Sequence, residues 1–484
     1  MWGNVLRDKC VSNGTVRIAL AGAGGYGEHY LQALLPRRDA LGVQLVGVVD
    51  PDPQRCRALA ALHEARIPIY ADLQTLFANS AVDLMLIVTP IHLHADQTIF
   101  ALEHGASVLC EKPVAATPQG GLRMLAAQRR AKGFVAIGYQ WSFSEAVAAL
   151  KLDIMQGVLG RPIRLKTLVL FPRSRGYFRR NDWAGRIRTD SGQDVFDSPA
   201  NNAAAHYLHN MFYLLGPTRQ SSAAPQFVQA ELYRANEIEN YDTIALRCRT
   251  HCGAEVFFYS THAVTERRGP RSLWQFEHAD VEFDALAGGE LGGQFVARFR
   301  DGRVKTYGHP NADRHEKIWQ SIDAVRGLHS AGNNGDGGHD GDGKGAAGAG
   351  GIACGIPAAL PHALCVAAAQ QSAGRITDFP AHLRRTIPFD DGTSDADSDT
   401  DSDTLICIDR LAEQFSDCYT RALLPAEQGQ LDWSRPAATV ALRRLPELAS
   451  IEPDSLGARG AGSSVSVDLH PAAIASPRPS TMPS

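Results

Sequence analysis

"IALAGAGGYGEHYL", residues 18–31, places Gly22, Gly24 and Gly27 in G-x-G-x-x-G order between a strand-like run and a helix-like run. The preceding "VRIALAG" (16–22) is short and mostly apolar, as a strand covered on both faces must be. The following "EHYLQALLP" has helical spacing. In a strand–turn–helix of this kind the first glycine permits the tight turn. The second lets the backbone approach a pyrophosphate, and the third lets the helix pack close to the strand. Free N–H groups and the helix dipole then favour an anion at the helix start. Gly25 and Tyr26 complete the loop that would face a dinucleotide.

Working outward, "VQLVGVVD" (43–50), "VDLMLIVT" (82–89), "ASVLCE" (106–111) and "FVAIGY" (134–139) repeat the apolar strand pattern, with helical stretches such as "ADQTIFALEHG" between them. This β-α-β rhythm predicts an α/β domain over 15–140, a doubly wound parallel sheet of the Rossmann type. Asp50 ends the second strand, where a carboxylate can accept hydrogen bonds from ribose hydroxyls and would repel the extra phosphate of NADP. NAD is therefore the expected cofactor. Arg55 and Arg57, close by, keep NADP as the alternative.

Past residue 140 the pattern changes to longer alternating strands, including "IRLKTLVLF" (163–171), "TIALRCRT" (243–250) and "SLWQFEHADVEF" (272–283). In "TIALRCRT", Ile244, Leu246 and Cys248 take one face, and Ala245 and Arg247 the other. That predicts a second, α+β domain over 141–449, built on a large open, mostly antiparallel and half-exposed sheet. One helix, "NNAAAHYLHNMFYLLGP" (201–217), interrupts the strands and stops at Gly216-Pro217. If it is regular, Asn202, His206 and His209 share one face. An N-terminal extension (1–14), inserts at 330–351 and 390–404 and a tail at 450–484 are too poor in apolar residues or too biased to add to a core.

Composition narrows the function classes. Lys plus Arg number 48 against 52 acids, a formal charge of −4, which argues against a general nucleic-acid or membrane-surface role. Nine scattered cysteines without a CxxC read as reduced thiols in a cytoplasmic setting. The start shows no apolar segment of a secretory leader, and no apolar run reaches membrane-spanning length. No metal is expected. His206 and His209 supply only two ligands where zinc needs three or four. The cluster "CRTHC" (248–252) alternates across a strand, and the D-x-D spacing in 390–404 lacks the Gly and Glu of a calcium loop.

Two motifs add chemistry at the carboxyl edge of the first sheet. In "IVTPIHLHADQ" (87–97), Thr89 and Pro90 leave the fourth strand where ligands bind in such sheets. His94 starts the next helix, either as a cofactor-side residue or as a cap or packing residue. In "LCEKPVA" (109–115), the proline of Glu111-Lys112-Pro113 restrains the backbone at Lys112. A held lysine beside a nicotinamide can stabilise a substrate oxygen or relay a proton; the plain alternative is a surface lysine. "FPRSRGYFRRNDWAGRIR" (171–188) concentrates arginines, and reads either as a lid gripping an anionic or polyhydroxylated substrate or as a solvated basic loop.

G-x-G-x-x-G, T-P-x-x-x-H and E-K-P in this order resemble the Gfo/Idh/MocA oxidoreductases, by motif from about residue 15 to 170 and by architecture to about 445. The resemblance implies NAD(P)-dependent oxidation or reduction of a sugar, polyol or related small hydroxy or keto compound, and a homo-oligomer formed through the second sheet. It makes Lys112 the catalytic or substrate-binding lysine, with Glu111, Thr89, Pro90 and His94 on the cofactor side. The family's D-x-x-x-H is matched by Asn202 and His206, with His206 as acid/base. Asn202 can orient an imidazole but cannot stabilise imidazolium by charge. "VFDSPANN" (195–202) replaces the family's Gly-Gly segment, and Asp197 within it is a substitute carboxylate. His209 falls where the family often has an aspartate and would line or support the site. Trp183 and Arg186 become candidate cofactor or substrate contacts. The departure at Asn202 keeps open a second reading, a non-catalytic dinucleotide-binding regulator of the same fold.

Overall fold

The computed structural model describes residues 14–289, 292–333, 351–389, 403–429 and 431–443. The expected extension, the two inserts and the tail lie wholly or largely outside these ranges. The described residues fall in two compact units. The first takes those up to Val114 together with 123–143, 313–333 and 351–356; the second takes those of 115–122, 144–312 and 357–443. Residues 313–333 and 351–356, which the sequence pattern assigns to the second domain, thus fall in the first unit.

The first unit is built on β1 (Val16–Ala21), β2 (Val43–Val49), β3 (Ile69–Tyr70), β4 (Leu84–Ile87), β5 (Ser107–Cys110) and β6 (Val135–Ile137). They form one parallel sheet in the order β3-β2-β1-β4-β5-β6. Every residue of β4 and β5 is buried, which is why these strands read as unbroken apolar runs. The connecting helices are α1 (Tyr26–Leu34), α2 (Leu59–Glu64), α3 (Leu73–Asn79), α4 (His94–Glu103) and α5 (Pro118–Arg130), of which 123–130 fall in this unit. Strand order reverses between β1 and β4, so the loops after these strands open a crevice at the sheet's carboxyl edge. The helix Glu316–Asn333 packs in this unit through Lys317, Ile318, Ser321, Ile322 and Val325, a buried stripe at helical spacing.

The second unit carries α6 (Glu145–Met155), β7 (Pro162–Leu170), α7 (Arg175–Arg179) and α8 (Ala205–Leu214). The strands that follow are β8 (Pro225–Arg234), β9 (Thr243–Thr250), β10 (Glu255–Thr261), β11 (Arg268–Phe276), β12 (Ala279–Asp284), β13 (Phe295–Phe299) and β14 (Val304–Gly308). The sheet runs β14-β13-β12-β11-β7-β10-β9-β8 and ends on the short strand Thr377–Asp378. Neighbours are antiparallel except β7 with β10 and β8 with Thr377–Asp378.

Two expectations are corrected here. "SLWQFEHADVEF" is two strands, not one. The chain turns at Glu277-His278, whose N–H groups bond back to the carbonyls of Arg161 and Leu159. Nor is the sheet half-exposed around β9, where Ala245 is as buried as Ile244 and Leu246. Ala245 belongs to an apolar cluster with Tyr233, Phe257, Tyr259, Phe415 and Trp433. The helix Leu411–Arg421 and the hairpin of Arg384–Pro388 with Thr404–Ile408 contribute to that cover.

Candidate functional site

The glycine turn adopts the shape its spacing predicts. Gly22 has φ +86°, and a Cβ there would lie 2.7 Å from the Val88 carbonyl oxygen. A Cβ on Gly27 would lie 1.9 Å from the Gly22 oxygen, so α1 closes on β1 only with glycine at that position. A Cβ at Gly25 would meet nothing within 4 Å, and no side chain caps the helix start. The outer side of the turn is therefore open at the start of α1, where the helix dipole favours an anion; within the turn the Gly27 and Glu28 N–H groups bond back to the Gly24 and Gly25 carbonyls. Gly24 approaches only Arg55, at ordinary contact distance. Tyr26, the first residue of α1, is 42% exposed.

Asp50 braces this turn. Its Oδ2 accepts the Ala23 N–H at 2.8 Å and its Oδ1 accepts the Asp52 N–H at 2.9 Å. Each oxygen keeps a lone pair, so the same carboxylate can accept ribose hydroxyls. Arg55 is largely exposed and pairs with Asp52 at 2.9 Å, which leaves it poorly placed as a dedicated phosphate ligand. These residues fit a dinucleotide: an open glycine cradle for the pyrophosphate and a carboxylate at the end of β2.

After β4, the Thr89 hydroxyl donates to Gln97 at 2.6 Å, and Thr89 and Pro90 remain half-buried at the edge. His94 corrects the cofactor-side expectation. It is 1% exposed, and its two ring nitrogens face the carbonyls of Pro113 (2.8 Å) and Thr89 (2.9 Å). Burial lowers its pKa, with the two carbonyls opposing that shift. A neutral imidazole donates one N–H, so it bonds one of these two carbonyls and lies buried between the Thr89 and Lys112 loops.

Glu111 is corrected in the same way. It is buried and engaged from three sides. The Tyr30 hydroxyl (2.6 Å) and the Lys317 ammonium donate to Oε1, and the Lys112 N–H donates to Oε2 at 3.2 Å. Burial alone would raise its pKa, but the Lys317 charge reverses the balance and holds it below the ordinary carboxylate value. Glu111 is thus an internal anchor that fixes the backbone of Lys112, not a cofactor ligand. Lys112 is half-buried just beyond it, followed by a cis bond to Pro113.

In the second unit the expected regular helix breaks at its start. Pro199–Ala203 is a π-helical turn, with the Ala204 N–H bonded to the Pro199 carbonyl, and α8 begins only at Ala205. Asn202 and His206 therefore do not share one continuous α-helical face. The preceding segment explains the break. Ser198 caps the turn through the Asn201 N–H (3.2 Å), and Phe196 holds φ +47°. Asp197 is 3% exposed. Its Oδ1 accepts the Asn202 amide at 2.8 Å and its Oδ2 accepts the Gly185 N–H at 2.7 Å. The Asn240 amide holds the Asp197 carbonyl at 2.9 Å. A carboxylate thus stands directly behind Asn202.

His206 is half-buried, whereas His209 is fully buried and packs against Tyr213 and His362. Burial, followed by the neighbouring His362, His206 and Lys151, drives the His209 pKa well down. His209 therefore supports α8 from inside and presents no surface to a ligand. Trp183 is half-buried, with the Arg180 guanidinium 5.4 Å from its ring. Arg186 pairs with Asp190 in its own loop. Among the described residues no group of three His, Cys, Asp or Glu gathers to hold a metal ion, and no helix is long and apolar enough to cross a membrane.

Sequence reasoning missed Tyr30 and Lys317. The signal for Lys317 is a lysine inside the apolar stripe of "HEKIWQSIDAVRG"; Tyr30 carries none beyond its place one turn after Tyr26.

Comparison with known proteins agrees with this geometry. Residues 16–139 match the family model described as oxidoreductase family, NAD-binding Rossmann fold (GFO_IDH_MocA). Inositol 2-dehydrogenase of Burkholderia multivorans is 32% identical over 152 residues, 31% of this chain and 44% of that protein. The match thus spans less than half of that relative. Among solved structures, the WlbA dehydrogenase of Bordetella pertussis, in complex with NADH and UDP-GlcNAcA, aligns over 74% of this chain and 97% of its own, with TM-score 0.56 and 20% identity. The aldose-aldose oxidoreductase of Caulobacter crescentus aligns over 75% and 98%, with TM-score 0.56 and 19% identity. At such identities these two structures speak for the fold alone. Residues 16–139, with the glycine turn and Asp50 in place, thus match the NAD-binding Rossmann fold of the Gfo/Idh/MocA oxidoreductases.

Proposed function

We propose that this protein is an NAD(P)-dependent oxidoreductase that transfers hydride between a nicotinamide and the CH–OH or C=O carbon of a sugar, polyol or related small compound. The observation that carries the reading is the open glycine turn braced by Asp50, at the same sheet edge as a lysine whose backbone is anchored by Glu111. The names of the relatives, an inositol dehydrogenase and oxidoreductases of sugars, support the substrate class. The Asp50 carboxylate and the Arg55–Asp52 pair favour NAD over NADP.

When bound, the nicotinamide supplies the hydride acceptor or donor. Gly22, Gly24, Gly25, Tyr26 and Gly27 hold the phosphates, and Thr89 and Pro90 border the crevice. Lys112 binds the substrate oxygen and stabilises negative charge that develops on it. His206 takes the hydroxyl proton in oxidation and returns it in reduction, the general acid–base role that an imidazole can fill. Asn202 orients that imidazole, and Asp197 fixes Asn202 in turn. Trp183 and Arg186 remain candidate substrate contacts. The regulator reading stood on the missing carboxylate at 202, and Asp197 weakens that ground. A homo-oligomer would use the sheet beyond β11, since the chain's own hairpin and helix contribute cover over β7 to β10.

Melting temperature with NADH and NADPH is the first test, because a ligand that binds the folded state raises it. A larger rise with NADH is expected. Reduced-cofactor absorbance over a sugar and polyol panel is the second. Lys112→Ala and His206→Ala should each lower kcat by about 10²- to 10⁴-fold while keeping the NADH-induced rise. No dinucleotide effect would sink the reading. Binding without turnover on any panel would leave the regulator.

A further inference from the structure

Many arginines of the second unit have a carboxylate partner. Arg175 faces Glu237 (3.8 Å), Arg179 faces Asp403 (3.8 Å), Arg186 pairs with Asp190, and Arg188 meets Asp194 at 3.0 Å. Arg268 reaches both Glu266 and Glu413. Each of these arginines is set against a carboxylate. Arg173 and Arg267 differ: among the described residues neither has a carboxylate partner. The Arg173 Nε is buried and makes no hydrogen bond there.

These two guanidinium groups are seated on a connected aromatic ledge. Arg267 lies 4.4 Å from the centre of the Phe171 ring, and Phe171 meets Tyr207 edge-on at 6.1 Å. Arg173 lies 4.7 Å and Arg180 3.8 Å from the Tyr177 ring. His262 closes the group: its ring lies 5.7 Å from Tyr177 and its Nδ1 bonds the Phe171 carbonyl at 2.8 Å. Burial and then Arg173 drive its pKa down to about 3, so it adds no charge of its own. Asp197 lies 3.7 Å from Arg180 but already serves Asn202 and Gly185. Burial raises the Tyr207 pKa to about 12, with Arg267 and then Arg173 opposing that shift. Tyr207 is the residue after His206.

Gathering like charges costs Coulomb energy unless an anion is provided. Guanidinium forks stacked on rings are well suited to gripping a planar carboxylate or a phosphate. We propose that Arg173 and Arg267, with the Tyr207 hydroxyl, form an anion subsite, and that the substrate is an acidic sugar or hydroxy compound carrying a carboxylate or phosphate. This rests on the oxidoreductase reading for what the anion belongs to; anion binding itself is measured apart from any dinucleotide.

The test is calorimetric titration of the full chain at low ionic strength with inorganic phosphate, D-glucuronate and, as neutral control, D-glucose. Phosphate binding at the glycine turn would be common to all variants, so the difference from wild type is what is read. At least one of the two anions should bind wild type about tenfold more tightly than Arg173→Gln or Arg267→Gln. Arg173→Lys, which keeps the charge and loses the fork, should cost about threefold. Arg267 is exposed, so its variant is expected to fold even if the Arg173 variants do not. Anion affinities equal within about twofold in wild type and Arg267→Gln, or no anion binding to wild type, would overturn the subsite. The NADH-induced rise in melting temperature is unchanged in either case and continues to report on the oxidoreductase reading alone.

Discussion

Glu111 in the first unit and Glu231 in the second are 5% and 3% exposed, yet they titrate in opposite directions. Glu111 shares its pocket with the buried ammonium of Lys317, and its pKa falls below the ordinary value. Among the described residues the donors to Glu231 are neutral, the Tyr233 hydroxyl and the Ala426 N–H at 3.1 Å. The nearby cation, Arg247, is paired with Glu427 at 2.9 Å. Burial therefore dominates, and the Glu231 pKa rises to about 7. Asp242, fully buried among four donors from Ala235, Asn236 and Thr243, also goes up. Hydrogen bonds alone do not offset the loss of water around these carboxylates; a full opposite charge does.

The largest expected effect breaks the first half of this contrast. Lys317→Met leaves Glu111 as an unpaired buried charge and should cost about 3–5 kcal/mol in urea unfolding at pH 7. The double variant Glu111→Gln with Lys317→Met should recover most of that loss, because no lone charge remains. A loss under about 1 kcal/mol for Lys317→Met would mean the pair is solvated and the contrast false. The second effect is smaller and has the opposite sign. The Glu231 pKa is raised on folding, so its contribution is intact below the unfolded value and is lost as pH rises through about 7. Glu231→Gln should therefore match wild type at low pH and be more stable by up to about 3 kcal/mol at pH 8. Equal urea midpoints across pH 5 to 8 would refute it.

The same contrast shows what could be read from the chain. The first sheet was legible because parallel strands buried on both faces leave unbroken apolar runs, and because Gly22, Gly24 and Gly27 have steric reasons that hold in any such turn. Glu111 and His94 read as cofactor-side residues for one reason. A polar residue at a ligand-binding edge reads as a ligand, and only coordinates show that Lys317, 206 residues on, or a main-chain carbonyl has already taken it. The π-helical turn before His206 was hidden because its residues, Pro199 to Ala203, have no composition that distinguishes it from the first turn of a helix. Arg173 and Arg267 were invisible as a pair, since absence of a carboxylate partner is a property of the fold, not of a residue.

Asn202 tests whether a neutral donor over a buried carboxylate does in the second unit what a charge does in the first. If Asp197 supplies the support, Asn202→Asp is no simple gain, because it sets a second carboxylate against Asp197 Oδ1, now 2.8 Å from the amide nitrogen. Two such groups cannot both ionise cheaply, so the pair should retain a proton with a raised pKa. Below that pKa the shared O–H replaces the amide donor and turnover should approach wild type. Above it, turnover should fall by about tenfold as repulsion displaces His206. Exchanging the two positions, Asn202→Asp with Asp197→Asn, keeps one donor and one acceptor, and the new amide oxygen can still receive the Gly185 N–H. The exchanged protein should therefore recover turnover to within a few-fold of wild type and lose the alkaline fall. A single Asn202→Asp variant as active as wild type across that pH range would show that Asp197 does not support the imidazole through residue 202.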